Sequence, residues 1–189
     1  VSAGHFLGAR HGTRVRVQSL FSQIPARLKF LRAASAEVSS VREWMERLSL
    51  IHPSVQFRLI HQGRSLLTLP SQSRSERVKR ILCGENGDYP LLEQHLEVPW
   101  EDEALESEAI RLSVYWIQGW SSPQARRIHQ VLNGRVLKDR MFHQALMSAF
   151  RQALLPGQFP AVALFVELPR SQVDVNVHPT KTEVRLTRS

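Results

Sequence analysis

Lys181 is the single residue best placed to do chemistry. It follows Val175-Asn176-Val177-His178-Pro179-Thr180, where Pro179 stops further sheet pairing. A lysine held there projects from a rigid edge, and its ammonium binds phosphate as a point charge. Spacing alone favours the plainer reading, an ordinary exposed lysine. The other cations cluster. Arg27, Lys29 and Arg32 fall within two helical turns and form an arc, and Arg42, Arg47, Arg126, Arg127, Arg135, Lys138 and Arg140 add to the basic set. Arg135 directly follows Asn133-Gly134, so it is expected at a hairpin tip. Such a surface contacts phosphates without reading bases. The alternative is a solvated basic face, and the residues alone do not separate the two. Little aromatic interleaving disfavours a platform for stacking single strands.

Other chemistries lack their motifs. There is no Gly-x-x-x-x-Gly-Lys-Ser/Thr loop, no Gly-x-Gly-x-x-Gly and no nucleophile elbow. The eight histidines are scattered, none paired with an acid at helical spacing, so no metal site is expected. The single cysteine, Cys83, excludes an internal disulfide. Beside Ile81 and Leu82 it reads as a small core residue.

These residues need elements to position them. Residues 13 to 20 alternate polar and apolar, which predicts a strand with one buried face. Pro25 opens a short helix through Leu31. Residues Ala36 to Leu50 predict a longer helix, with Val41, Met45, Leu48 and Trp44 as the apolar stripe, ended by Pro53. Val55 to Ile60 and Ser65 to Leu69 form a hairpin with Gly63 in its turn. The polar stretch Pro70 to Ser75 marks the expected domain boundary, giving domains 1–73 and 74–189. A short helix, Glu76 to Leu82, follows. Strands are expected at Leu91 to Val98, Ile110 to Gly119, His129 to Leu132, Val136 to Leu137, Ala161 to Leu168 and residues 173 to 178. The acidic stretch Glu101 to Glu108 reads as a solvated loop. Asp139 caps a helix running from Arg140 to Leu154. The second half is thus an α+β or α/β layer with helix on one face of the sheet.

The bulk numbers fit a globular chain whose basic balance favours polyanions, chiefly nucleic acid, or else a merely solvated basic surface, and composition does not separate the two. The protein has 189 residues, 42% of them hydrophobic, which suits one domain or one and a half. Its net charge is +8, and its pI is near 10.7. No run of about 18 apolar residues occurs, so no membrane span is expected. Residues 1 to 10 lack the apolar core of a secretion signal. The absence of an initiator Met leads us to expect a piece of a longer chain. A reducing setting, cytoplasm or nucleoid, is expected.

Three segments together resemble the MutL family of mismatch-repair ATPases. Gly12-Thr13-Arg14-Val15-Arg16-Val17-Gln18-Ser19-Leu20-Phe21, then Pro25-Ala26-Arg27-Leu28-Lys29-Phe30-Leu31, is similar to Gly-Thr-x-Val-x-Val-x-x-Leu-Phe and Pro-Ala-Arg-x-Lys-Phe-Leu. Val131-Leu132-Asn133-Gly134-Arg135, with Asp139-Arg140 close behind, is the second. Val173-Asp174-Val175-Asn176-Val177-His178-Pro179-Thr180-Lys181, then Glu183-Val184-Arg185, is the third. The resemblance spans almost the whole chain.

It implies the end of a GHKL-type ATPase sandwich, followed by a transducer domain of ribosomal-protein-like α/β fold. Gly12 and Thr13 would sit beside the nucleotide, and Lys181 would reach the γ-phosphate of ATP, a cation at developing phosphate charge. Lys29, Arg32, Arg47 and Arg135 match the family's DNA-contacting positions. ATP with Mg would be the cofactors of the intact protein, with none expected on this chain alone. The partners implied are DNA, a mismatch-recognition protein of the MutS type, and a second copy or related paralogue. The family's general-base Glu and metal-holding Asn belong to a motif upstream of the residues present, so no ATP hydrolysis is expected from this chain by itself. Gln23-Ile24 stands where the family usually has Asn-Thr. Two other functions stay open here: a stand-alone nucleic-acid-binding module of the same fold, and the transducer of another GHKL ATPase such as a type II topoisomerase.

Overall fold

The computed structural model describes residues 12–84, 87–99, 109–169, 173–174 and 185–186. The chain forms two compact units, Val1–Ser40 and Val41–Ser189.

In the first unit, residues 13–18 belong to no strand or helix. This corrects the expected half-buried strand: Val15 is 75% and Val17 71% exposed. Alternation supplies an apolar face, but a strand also needs a neighbour for its ladder, and none pairs here among the described residues. The backbone then turns through Ser19 and Phe21, both at positive φ. Helix α1, Pro25–Leu28, starts on its proline as expected but is only four residues long. The Arg27 guanidinium lies 5.8 Å over the Phe21 ring. Helix α2, Ala34–Ile51, begins in this unit and continues into the second.

The second unit opens with the inner face of α2, and this face differs from the expected one. Of the expected stripe only Met45 packs on the core; Val41, Trp44 and Leu48 are exposed, whereas Arg47, Ser49 and Leu50 are buried. Strands β1, Phe57–His61, and β2, Arg64–Leu69, form the predicted hairpin. Its turn residues Gln62 and Gly63 both have positive φ, the primed geometry that matches strand twist. Helix α3, Arg74–Cys83, is started by a capping box. The Ser73 hydroxyl accepts from Glu76 N, and the Glu76 carboxylate accepts from Ser73 N at 2.9 Å.

The main sheet has five strands: β3, Leu91–Pro99; β4, Ala109–Ser122; β5, Ile128–Leu132; β6, Arg135–Leu137; and β7, Phe159–Glu167. Their spatial order is β3-β4-β7-β5-β6. All neighbours are antiparallel except β5 and β7, which run parallel. A parallel pair needs a crossover, and α4, Arg140–Ala149, supplies it. The pair β8, Val173–Asp174, and β9, Arg185–Leu186, is antiparallel. Of the strand expected over 173 to 178, the remainder lies outside the described residues, as does the acidic stretch 101–108.

Strand β7 shows how the layers are built. Ala161, Ala163 and Phe165 pack with Tyr115, Val131, Leu50, Leu67, Leu69, Val78 and Leu82. Val162, Leu164 and Val166 pack on the opposite face with Leu132, Leu137 and Leu146, joined by Phe142 of α4 and its C-cap residue Phe150. The sheet is therefore covered on both faces, not one as expected, and this explains the unbroken apolar run 161–166. Cys83 is buried in the first of these clusters.

Candidate nucleic-acid interface

Strands β5 and β6 meet at Asn133-Gly134, with φ of +47° and +73°. Both residues are left-handed, which Asn tolerates and Gly adopts freely. The Asn133 side chain also ties the turn to the end of β7. Its Nδ2 donates to Leu168 O at 3.0 Å and its Oδ1 accepts from Leu168 N at 2.8 Å. Asn133 N donates to Val166 O at 2.9 Å. Arg135, the first residue of β6, is exposed on this braced turn. Among the described residues it has no ion pair.

Next along the chain, Asp139 caps α4 by accepting from Met141 N at 2.8 Å and Phe142 N at 3.2 Å. Its own N–H donates to Gln130 Oε1 at 2.8 Å. Beside this cap lies a cleft of about 520 Å³, lined by Glu43, Arg47, Arg126, Gln130, Lys138 and Arg140, among others. Arg47 is only 7% exposed. Its guanidinium donates to the Glu43 carboxylate and lies 5.4 Å over the Trp44 ring. The sequence-predicted cations Arg47 and Arg135 thus belong to the second unit, one in the cleft wall and one on the hairpin.

Lys29 and Arg32 belong to the first unit. Lys29 is exposed at the end of α1. Arg32 Nε donates to Glu37 Oε1 at 3.1 Å, and its other arm reaches Ser40 Oγ. The Arg32 backbone N–H, then its side chain, hold the Glu37 carboxyl below its usual pKa. Gly12 and Thr13 are exposed. Lys181 lies outside the described residues. No group of three or more His, Cys, Asp or Glu that could hold a metal ion occurs among the described residues.

Sequence reasoning missed His129 and Arg77. His129 is buried on β5, and among the described residues its Nδ1 has no partner. Burial above all, then the nearby Arg47 and Arg127 charges, lowers its pKa to about 4. Arg127 donates to Leu82 O and lies 4.6 Å over the Trp120 ring. The period-two pattern of β5 could have placed His129 beside Val131, on the buried face.

Residues 90–189 match the family model for the C-terminal domain of DNA mismatch repair proteins. The chain belongs to the MutL family of DNA mismatch repair proteins. It is 39% identical over 177 residues to the DNA mismatch repair protein MutL of Rhizorhabdus wittichii, covering 92% of this chain and 28% of that protein. It is 37% identical over 186 residues to MutL of Trichlorobacter lovleyi, covering 96% and 29%. This MutL-type chain therefore spans under a third of the length of these relatives. Among solved structures, the Aquifex aeolicus MutL ATPase domain complexed with ADP matches with a TM-score of 0.55 at 24% identity, covering 81% of this chain and 51% of that one. The N-terminal domain of a DNA repair protein matches with a TM-score of 0.68 at 22% identity, covering 88% and 53%. At such identities these two likenesses establish the fold, a mixed α/β architecture shared with MutL-type ATPase regions. Among the described residues no helix is long and apolar enough to cross a membrane.

Proposed function

We propose that this MutL-family chain contacts DNA through backbone phosphates, without regard to sequence, and reports bound ATP in the intact protein. On this reading residues 1–73 close a GHKL ATPase domain and residues 74–189 form its transducer. Lys29, Arg32 and Arg135 are the DNA-facing cations, and Arg47, buried and paired with Glu43, backs the cleft wall. One observation carries the reading: Arg135 is exposed and, among the described residues, without an ion pair on a turn braced by Asn133. A cation on a rigid tip loses little freedom on meeting a phosphate, and phosphate contacts are sequence-independent. In the intact protein ATP with Mg would bind beside Gly12 and Thr13. There Lys181 would set a positive charge against the γ-phosphate, so that ATP biases domain orientation. DNA, a MutS-type mismatch-recognition protein and a second copy or paralogue are the partners of this proposal.

Fluorescence anisotropy of a labelled duplex tests the DNA half. Arg135→Glu and Lys29→Glu should each weaken binding at least tenfold at low salt, because each reverses a charge facing a polyanion. Unchanged affinity in both variants would refute it. For the ATP half, Lys181→Ala in the intact protein should lower its ATPase kcat, and an unchanged kcat would remove Lys181 from the proposal.

A further inference from the structure

We infer that the cleft beside the α4 cap is a phosphate pocket, which seats one phosphate of a nucleic-acid backbone. The inference deepens the DNA-contact reading and rests on it for the identity of the ligand. The chemistry of the lining decides the kind of ligand. Arg126, Lys138 and Arg140 are exposed cations on this cleft, and none forms an ion pair among the described residues. The two acids of the lining are already engaged. Glu43 accepts from Arg47, and the Asp139 carboxylate accepts from the first backbone N–H groups of α4.

A second observation comes from Gln130. It is 5% exposed and lines the cleft, and its Oε1 is held by the Asp139 N–H. That bond fixes which end of the amide remains free. The Nε2 donor is left over, and none of the hydrogen bonds among the described residues engages it. The cleft therefore offers donors and positive charge, with its main acceptors spent. An oxyanion with several lone pairs complements it, and a neutral or cationic ligand does not. A volume of about 520 Å³ exceeds what a bare ion needs and leaves room for the sugars flanking a phosphodiester. Gln130 on β5 and Arg135 on β6 belong to one hairpin, so a single braced unit positions both phosphate contacts.

The test uses the full 189-residue chain, ¹⁵N-labelled, with inorganic phosphate and then a short duplex as probes. Phosphate should shift the Gln130 side-chain amide, and Lys138→Ala/Arg140→Ala should abolish that shift. The same double variant should weaken duplex binding roughly tenfold and reduce the slope of log affinity against log salt by about one, the signature of one lost phosphate contact. Arg58→Ala, an exposed cation on β1, should change neither. If phosphate shifts Gln130 but the double variant binds duplex normally, the pocket takes free phosphate and the backbone assignment is overturned. If neither probe shifts Gln130, the pocket itself is overturned. The DNA reading is judged separately, by whether Arg135→Glu still loses duplex affinity.

Discussion

Arg77 holds the second unit together from a position where sequence would not place a charge. Its side chain is fully buried, and its guanidinium donates to the carbonyls of Ser49, Pro53, Val55 and Pro70 and to Gln72 Oε1. It also lies 5.8 Å over the Phe57 ring. It links the end of α2, the loop that follows, the end of β2, and α3. Removing it leaves acceptors without donors. Hydrogen bonds to charged groups contribute about 1.5–3 kcal/mol each, but these five share one guanidinium, so their values do not add. Only the Ser49 bond is fully buried, whereas water can reach the other four partly. Losing the guanidinium also relieves its desolvation, which lowers the Arg77 pKa along with the nearby Arg80 charge. The balance for Arg77→Met, which keeps the stem and much of the volume, is a loss of about 3 kcal/mol. Arg77→Ala adds a cavity and should cost about 4–5 kcal/mol. All four tryptophans lie beyond residue 41, so urea unfolding followed by their fluorescence reports on this unit. If Arg77→Met were within about 0.5 kcal/mol of the parent chain, desolvation would cancel the bonds and the linking role would be wrong.

His129 gives the chain an acid-sensitive element. Its folded pKa is about 4 against an ordinary 6.5, so the unfolded chain binds more protons between those values. Its contribution is complete above about pH 6.5 and is lost as pH falls toward 4, on the order of 3 kcal/mol in all. His129→Gln should flatten that part of a stability–pH curve, and an unchanged curve would discount the residue. Ser73→Ala removes the α3 cap and should cost about 1 kcal/mol by urea midpoint. A second arm concerns Glu76, whose pKa is held low first by the Ser73 hydroxyl and then by its N–H. Its contribution should be present above the ordinary carboxylate pKa and fade as acid protonates it, and Ser73→Ala should weaken that dependence. Gly63→Ala meets no atom within 4 Å, but its φ is +74°. Strain alone should cost about 1 kcal/mol, and thermal melting of the variant checks it.

Hairpins were the most legible part of the fold. Asn133-Gly134 and Gln62-Gly63 declare left-handed turns through local chemistry, which needs no distant partner. The Asp139 cap was equally readable, since an N-cap acts within three residues. What failed was burial decided by tertiary packing. Val41, Trp44 and Leu48 form an apolar stripe on α2, yet periodicity states only that a face is apolar, not that it is covered. The covered face carries Arg47, accommodated by Glu43 and the Trp44 ring. Arg77 is a second case, because its acceptors are backbone carbonyls from segments distant in sequence, which no local motif announces. Residues 13–18 show the converse, a strand pattern with no pairing neighbour among the described residues. Of the candidate site, the hairpin cation Arg135 was foreseeable from its turn. The cleft was not, because Arg47, Arg126 and Lys138 meet only after α2 packs beside the β5–β6 edge.

The salt dependence of duplex binding tests the central claim most directly. Affinity of the chain for two unrelated duplex sequences would be measured by anisotropy from about 50 to 200 mM salt. A DNA-contacting MutL-type chain should bind both sequences alike and weaken steeply, with log affinity falling linearly in log salt by about 0.9 for each phosphate engaged. A folded chain that binds neither duplex at the lowest salt would contradict the account and leave its +8 charge as a solvated surface.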